Sequence, residues 1–557
     1  MSNELESGRR ADDSEPRIVA CLTRADPPLH EQARRAVAGG ADIVELRVDL
    51  IDNLPEIERF LARPERLPAI LTLRRSDEGG AWDGDESQRI SLIQRLGLLR
   101  PGFIDLEFAA WRASANLRQK IGLVCELEPE GRQGAHGTDE VTGPSDTAGA
   151  AADATARAKN RLILSRHDLR ETPRDVLDAI SELLASPCHI AKAAFATCDA
   201  RDMMRILDAQ RLAARRRAAL MATGSAAAAS RVLGAKFGAS LVYAAADNSG
   251  SRAHAAPGQP TMEELVTFGL LRSAARERGA DRVARRGRVS RSTQVYGVIG
   301  WPVGHSLSPA LHNAAMSALD IDGVYVPLPV QATEGALAEF LDAIAGNEWL
   351  DVHGLSVTIP HKRAALDWLV ARAGRVTPLA KRCGALNTLS RQADGAWRGD
   401  NTDVPTDWDA ARGRAIDILG AGGVARAIVV AMVDAGCRVT IYARNARRAE
   451  QLAAEFGCEW RDWSEREKLR GQVVINCTPV GMWPEVDASP LPASALAPPR
   501  LVIDTVYRPA ETRLMREARG AGCEVISGMS MFWNQAAGQF RIWHGRELPL
   551  SAKEVLQ

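Results

Sequence analysis

Two short stretches of this 557-residue chain place a lysine where chemistry is a better explanation than solubility. The first is HIAKAAF (189–195), an apolar run with Lys192 near its middle. Burial disfavours the charged amine, and arginines close by would push the same way, so Lys192 is a candidate nucleophile. A neutral amine can attack a ketone and form an iminium, which is an electron sink for removing an adjacent proton. His167, at the end of RLILSRH (161–167), is the obvious proton carrier, because imidazole titrates near neutrality. Glu45, Arg47, Arg74, Asp105, Glu107, Ser165 and Arg231 stand at or beyond the ends of other apolar runs. The arginines among them suit an anionic ligand, most simply a carboxylate held bidentately. The plainer alternative leaves Lys192 snorkelling its head outward and His167 structural.

The second stretch is SVTIPHK (356–362), a strand stopped by Pro360 that turns Thr358 inward and delivers Lys362 just beyond. GALNTL then supplies Asn387 and NTD supplies Asp403. Upstream, Ser308 reads as a helix N-cap with Pro309 at N1. Hydroxyls at a helix N-terminus make a carboxylate site, with plain capping as the alternative. ILGAGGVARA (418–427) is a glycine-rich turn between a strand and a helix, and VTIYAR closes the βαβ unit. Gly420, Ala421, Gly422, Gly423 and Val424 would present backbone amides to a pyrophosphate. After the second strand come Arg444, Asn445, Arg447 and Arg448 rather than an acid. Guanidinium binds a 2′-phosphate that a carboxylate would repel, so the pattern favours NADP over NAD.

The elements that must position these groups follow from the apolar runs. Eight of them lie between Arg17 and about Ala246: RIVACLT, DIVELRV, PAILTLR, GFIDLEF, RLILSRH, HIAKAAF, AALMAT and ASLVYAA. They are continuously apolar, as buried parallel strands are, and helix-like segments separate them. Eight βα units predict a TIM barrel with its site at the strands' C-terminal ends. IGLVCELE (121–128) is an extra run, and the Gly/Ala/Asp/Thr-rich stretch after it predicts a disordered insertion over 129–158. RERGADRVARRGRVSRST (276–293) is basic without an apolar face and reads as a linker rather than a nucleic-acid arm. An αβ substrate domain over 294–403 follows, then a Rossmann-type domain over 404–527, with a C-terminal helix over 528–550 returning to the substrate domain. The fold class is therefore α/β.

Composition narrows the function classes. Hydrophobic content is 46%, charged content 25% and formal net charge +0, so no global field favours nucleic acid or an anionic membrane. The polar first residues are not a signal peptide, and no run approaches a membrane span. The nine cysteines are scattered and lack C-x-x-C spacing, which predicts reduced core thiols in a cytoplasmic protein. Cys188-His189 has no second pair to build a metal site.

VELRVD, TLRRSDEGG, IDLE, SRHD, IAKAAF, Ser230-Arg231 and APGQPT, in that order, resemble type I 3-dehydroquinate dehydratase from residue 17 to about 270. The resemblance implies that Lys192 forms a Schiff base with the C3 ketone of 3-dehydroquinate. It implies that His167 removes the C2 proton and helps expel the C1 hydroxyl as water, and that Glu78 orients or charges His167. Glu45, Arg47, Arg74, Arg231 and Gln259 would hold the substrate, with Arg231 on its carboxylate. Cys21 and Ala255 stand where related sequences tend to carry serine, and Met221-Ala222-Thr223-Gly224 departs from the usual Met-Gly.

GHSLSPALHN, SVTIPHK, GALNT, NTD, GAGG, NCTPVGM, DTVYRP and GMSMFWNQAAGQFRIWHG similarly resemble shikimate dehydrogenase from about 294 to 550. This implies that Ser306, Ser308, Thr358, Asn387, Asp403, Tyr507 and Gln535 bind shikimate or 3-dehydroshikimate. Lys362 and Asp403 would be the catalytic pair, with Met482 and Gly528 near the nicotinamide. Ser356, Ala443 and Thr406 depart from that pattern. The two resemblances in this order are those of the plant fused enzymes. They imply a bifunctional enzyme that dehydrates 3-dehydroquinate and reduces the product with NADPH. Its partners would be small molecules, not nucleic acid or membrane, and its state a monomer or homodimer. A quinate-preferring dehydrogenase and a regulator derived from these domains are the alternatives.

Overall fold

A computed structural model describes residues 16–128, 159–246, 255–272, 285–286, 289–404, 408–498 and 500–556. The polar N-terminus, the 129–158 insertion and most of the 276–293 linker lie outside the described residues. The chain forms two compact units, Met1–Gln294 with Gly304–Gln331, and Val295–Val303 with Ala332–Gln557.

The first unit contains the expected eight-strand parallel barrel. Its hydrogen-bonded path runs Ala218–Gly224, Ile190–Thr197, Asn160–Asp168, Gly102–Glu107, Ala69–Thr72, Ile43–Arg47, Arg17–Leu22, Leu241–Ala245. The first seven strands thus each pair with their neighbour along the chain, the eighth pairs with the first, and every pairing is parallel. The two ends approach where the Ser240 N–H donates to the Ala218 carbonyl at 2.8 Å. The extra run IGLVCELE is not a ninth stave. Its first half closes the Ala115–Val124 helix, and only Cys125–Glu126 pairs, with the Asn160–Asp168 strand.

Because both faces of each strand are buried, the continuous apolar runs conceal an alternation. Ile43, Ile70, Phe103, Ile163 and Ile190 pack together inside the barrel with Val19 and Leu241. Two positions further along the same strands stand Glu45, Thr72, Asp105, Ser165 and Lys192, all buried. Two further still stand Arg47, Arg74, Glu107 and His167. The interior is therefore an apolar floor below two polar tiers, at the end where barrel sites form.

Helices around the barrel begin on capping side chains, Asn53 before Leu54–Leu61, Asp85 before Glu86–Gly97, and a Thr261/Glu264 capping box before Met262–Thr267. Residues 304–331 cluster with this unit through Asn313. Its amide donates to the Thr267 carbonyl at 3.0 Å and the Tyr325 carbonyl at 2.8 Å, and its oxygen accepts the Tyr325 N–H at 2.8 Å. The expected N-cap at Ser308 is corrected. Leu307 already has helical dihedrals and occupies the cap, Ser308 opens the helix, and its hydroxyl makes no capping bond. Instead the Ser308 N–H donates to Ser306 Oγ at 3.2 Å.

The second unit holds two sheets. In one, the strands run in the order Gln294–Gly300, Val352–Val357, Thr388–Arg391, Trp397–Asp400, Arg375–Val376, with mixed directions. The other has six parallel strands, ordered Glu459–Asp462, Arg438–Ala443, Ala415–Leu419, Val473–Asn476, Leu501–Asp504, Glu524–Ile526. That is the doubly wound order of a dinucleotide-binding fold. The C-terminal helix Gly528–His544 returns to the first of these sheets. There the buried Gln539 amide donates to the Asn387 carbonyl at 3.1 Å, and its oxygen accepts Ser356 Oγ–H at 2.8 Å. Among the described residues no helix is long and apolar enough to cross a membrane. All nine cysteines are free.

Candidate active sites

Eight of the barrel residues singled out from the sequence, Glu45, Arg47, Arg74, Glu78, His167, Lys192, Arg231 and Gln259, line one cavity of ≈ 370 Å³, whereas Asp105, Glu107 and Ser165 do not line it. Lys192 projects from the second tier, in register with Ser165 on the neighbouring strand. Its Nζ donates to Asp105 at 2.8 Å and approaches Glu45 at 3.5 Å. The expected ring of arginines around the lysine is therefore corrected, since its nearest charges are carboxylates. Parallel register brings them there, because Glu45, Asp105 and Lys192 occupy the same tier of three strands. Arg74 sits one tier up and shares Asp105, at 3.0 Å, while also donating to Ser165 Oγ at 2.7 Å. Burial alone would raise the Asp105 carboxyl, but Arg74, Lys192 and His167 outweigh it and hold it well below the carboxylate range. Glu107 is occupied elsewhere, accepting the fully buried Arg89 at 2.7 Å and the Arg75 N–H at 2.9 Å.

His167 stands on the rim of the same face. Its Nδ1 lies 2.9 Å from Glu78 Oε2, and the same oxygen accepts the His167 backbone N–H at 3.1 Å. The imidazole does not titrate near neutrality. Burial, with Arg74 and Lys192 as positive neighbours, pushes it well below its usual value. Burial acts the other way on Glu78, raising its carboxyl to about 7 against the opposing pull of Arg74. Near neutral pH the ring is a neutral base whose partner, not the ring, changes charge.

The remaining barrel residues divide by what they already hold. Arg47 is committed to Asp49 through two bonds of 3.0 and 2.7 Å and to the Ala255 carbonyl at 3.0 Å. Arg231 has no carboxylate partner among the described residues. It donates only to the carbonyls of Tyr243, Ala222 and Ala227, at 2.7–3.0 Å. Burial pushes its guanidinium down to about 10. A buried cation without a counter-ion is matched to an anion that arrives with the ligand. Gln259 is held by its neighbours, its oxygen accepting the Ala255 N–H at 2.9 Å and its amide facing Cys21 Sγ at 3.0 Å. The Cys21 thiol is pushed well above its usual value by burial and by Glu45, so it stays protonated.

In the second unit the structure brings together Lys362, Asp403 and Asn387. Lys362 opens the helix Lys362–Ala371 and forms an ion pair with Asp403 Oδ2. The other Asp403 oxygen accepts the Asn387 amide at 2.9 Å. Asn387 is itself fixed, since its oxygen accepts the Thr402 N–H and Thr388 Oγ1–H, both at 2.8 Å. Thr402 Oγ1 donates to the Gln535 carbonyl at 3.0 Å, which ties the C-terminal helix to the same cluster. Thr358 is half-buried at the end of its strand, and Tyr507 stacks on Phe532 with centroids 4.7 Å apart. Ser306 and Ser308 belong to the other compact unit.

The glycine-rich turn has the shape a dinucleotide needs. Gly420 has φ +112°, where only glycine is unstrained, and a Cβ there would meet the Cys477 carbonyl at 3.2 Å. A Cβ at Gly422 would meet nothing within 4 Å, so the backbone is open to a ligand. Gly422 is also the cap of the Gly423–Asp434 helix and supplies no side-chain bond, leaving the first N–H groups for a phosphate. Arg444, Arg447 and Arg448 are exposed and have no carboxylate partner among the described residues. Asn445 is the exception, because its side chain caps the next helix at Arg448 N, 3.0 Å. Met482 is half-buried, and Gly528 is packed so closely that a Cβ would sit 2.5 Å from the Val506 carbonyl. These residues fit NADP.

Sequence reasoning left several groups unnoticed. Asp49, two residues beyond Arg47, had only its spacing as a signal. Tyr243 looked like one more apolar strand residue, and Gln539 like one more polar residue on a helix. Asp105 was visible at a strand end, but not as the partner of Lys192.

Three family models match along the chain, and in the order of the two sites. Type I 3-dehydroquinase matches residues 18–123 and 140–272, the barrel with its lysine–histidine cavity. The shikimate dehydrogenase substrate binding domain matches 298–389, and a model described as NADP oxidoreductase, coenzyme F420-dependent, matches 415–508. A chloroplastic bifunctional 3-dehydroquinate dehydratase/shikimate dehydrogenase of Arabidopsis thaliana is 30% identical over 578 aligned residues, spanning 98% of this chain and 85% of that one. A shikimate dehydrogenase (NADP(+)) of Oleidesulfovibrio alaskensis is 43% identical over 47% of this chain and 94% of its own. The crystal structure of a shikimate 5-dehydrogenase from Thermus thermophilus with NADP(H) and shikimate is 34% identical over 47% of this chain and 98% of that one, with a TM-score of 0.42. The chain belongs to the family of bifunctional 3-dehydroquinate dehydratase/shikimate dehydrogenases.

Proposed function

We propose that the barrel converts 3-dehydroquinate to 3-dehydroshikimate through a Schiff base on Lys192, and that the second half reduces this product to shikimate. The observation that carries the reading is a buried lysine and a His167–Glu78 pair facing one cavity. Lys192 gives up its proton and its amine attacks the substrate's C3 ketone. Loss of water from that adduct leaves an iminium, which acidifies the C2 proton. His167, neutral and held by Glu78, takes the C2 proton and returns one to the departing C1 hydroxyl. Hydrolysis of the iminium frees the product and Lys192. Arg231, the cation without a counter-ion, holds the substrate carboxylate, and Glu45, Arg47, Arg74 and Gln259 shape the rest of the pocket.

In the second half, Lys362 supplies the proton to the C3 oxygen of 3-dehydroshikimate and Asp403 holds Lys362 in place. The Gly420–Val424 turn would hold the pyrophosphate of NADPH and Arg444, Arg447 and Arg448 its 2′-phosphate, and the cofactor would supply the hydride. Thr358, Asn387, Tyr507, Gln535, Ser306 and Ser308 are assigned to the substrate. The proposed domains are 17–275, a linker over 276–293, 294–403 completed by 528–550, and 404–527. Free cysteines support a reducing, cytoplasmic setting, and the protein is proposed to act as a monomer or homodimer on small molecules alone.

Reduction with sodium borohydride in the presence of 3-dehydroquinate tests the covalent step. A ring adduct is expected on the peptide carrying Lys192. An unmodified Lys192 in turnover-competent, substrate-saturated protein would sink the Schiff-base assignment.

A further inference from the structure

Tyr243 is a residue of the barrel cavity that the reaction as described does not use. It lies on the Leu241–Ala245 strand, is 3% exposed, and lines the cavity. Its ring centroid is 4.1 Å from Lys192 Nζ, a cation–π contact with the nucleophile's ammonium. Its hydroxyl oxygen is buried and has no hydrogen-bond partner among the described residues. Burial, and then Glu45 and Asp105, push the phenol well above its ordinary value, so the oxygen keeps its proton and is a donor. Buried hydroxyls in native interiors find partners, and one without a partner calls for an explanation.

The surroundings supply one. Lys192 and Tyr243 line the cavity together, and the described protein groups around it leave the Tyr243 hydroxyl without an acceptor. The cavity thus carries a buried donor that no described protein group satisfies. We propose that Tyr243 is a substrate-positioning residue of the dehydratase cavity, its ring steadying Lys192 and its hydroxyl donating to an oxygen of the bound polyhydroxylated keto acid. The inference rests on the Schiff-base reading given above.

Tyr243→Phe keeps the ring and removes the donor. The expected result is a rise of about tenfold in KM for 3-dehydroquinate, the size of one hydrogen bond, with kcat within about threefold. Tm should hold or rise, because no native bond is broken, and shikimate oxidation by the same protein should not change. An unchanged KM overturns the proposal. So does a Tm lowered by several degrees together with loss of both kcat and KM, which would make the hydroxyl structural. Borohydride trapping in the same variant keeps the two readings apart. A Lys192 adduct with unchanged KM removes only the role of Tyr243. An absent adduct in the unaltered chain removes the Schiff base, while a raised KM in Tyr243→Phe would still report a substrate contact.

Discussion

Lys192 and Lys362 each donate to an aspartate, but the two aspartates are placed differently. Asp105 also binds Arg74 at 3.0 Å and Ser165 Oγ at 2.6 Å, all within the buried tiers of the barrel. Asp403 has one cation, Lys362, and a neutral donor, the Asn387 amide. When Lys192 becomes a free amine, Arg74 still balances Asp105. When Lys362 loses its proton, Asp403 has no second cation among the described residues. The barrel lysine therefore shares its counter-ion with a second positive charge, which stays to balance the carboxylate. The lysine of the second unit has its counter-ion to itself among the described residues. The physical reason is the same in both, namely that a buried carboxylate left without a donor is costly.

Three substitutions would break or sharpen this contrast. Lys192→Ala should lower dehydratase turnover by about 10⁴-fold or more, because it removes the covalent path and not one stabilising contact. Shikimate oxidation by the same protein should be unaffected, and steady-state rates for both reactions check this. Lys362→Ala should lower dehydrogenase kcat by roughly 10²–10⁴-fold, the range of a general acid, with NADP affinity unchanged. Fluorescence titration of NADPH separates the two, and loss of cofactor binding would argue against the proton-donor role. Glu78→Gln should cost the dehydratase about tenfold at pH 8 and alter its pH profile. In the unaltered chain Glu78 is protonated below about 7 and accepts the His167 Nδ1–H only as a neutral group. Above that value the carboxylate accepts it and makes the ring a stronger base, so kcat/KM should rise with pH through about 7. The variant should lose that limb, and a variant that keeps it would place the titration on another group.

The barrel and its chemistry were largely legible because the fold reports itself locally. Eight apolar runs separated by helical segments have few other solutions, and Lys192 and His167 stood out against apolar neighbours. What the sequence could not show was partnership across strands. Asp105 lies 87 residues from Lys192 and meets it only through parallel register. Reading charge types without that register predicted arginines around the lysine and missed the carboxylates. The His167 titration failed for a related reason, since its depression comes from burial beside Arg74 and Lys192 rather than from anything adjacent in sequence. Ser308 illustrates a boundary error, in which one residue's helical dihedrals moved the cap to Leu307. Tyr243 was invisible because a tyrosine in an apolar strand is ordinary until its oxygen is found without a partner.

The inward tiers also have a parity. Every catalytic or binding side chain on the strands shares odd or even position with the apolar floor beneath it, so floor and site are set by one choice of register. A slip of one residue in the Ile190–Thr197 strand would point Lys192 at the surrounding helices and bring Ala191 and Ala193 inside. No partly slipped barrel could dehydrate its substrate. Dehydratase turnover in a folding or refolding sample thus counts the molecules whose strands have closed in the correct phase, which secondary-structure content alone cannot do.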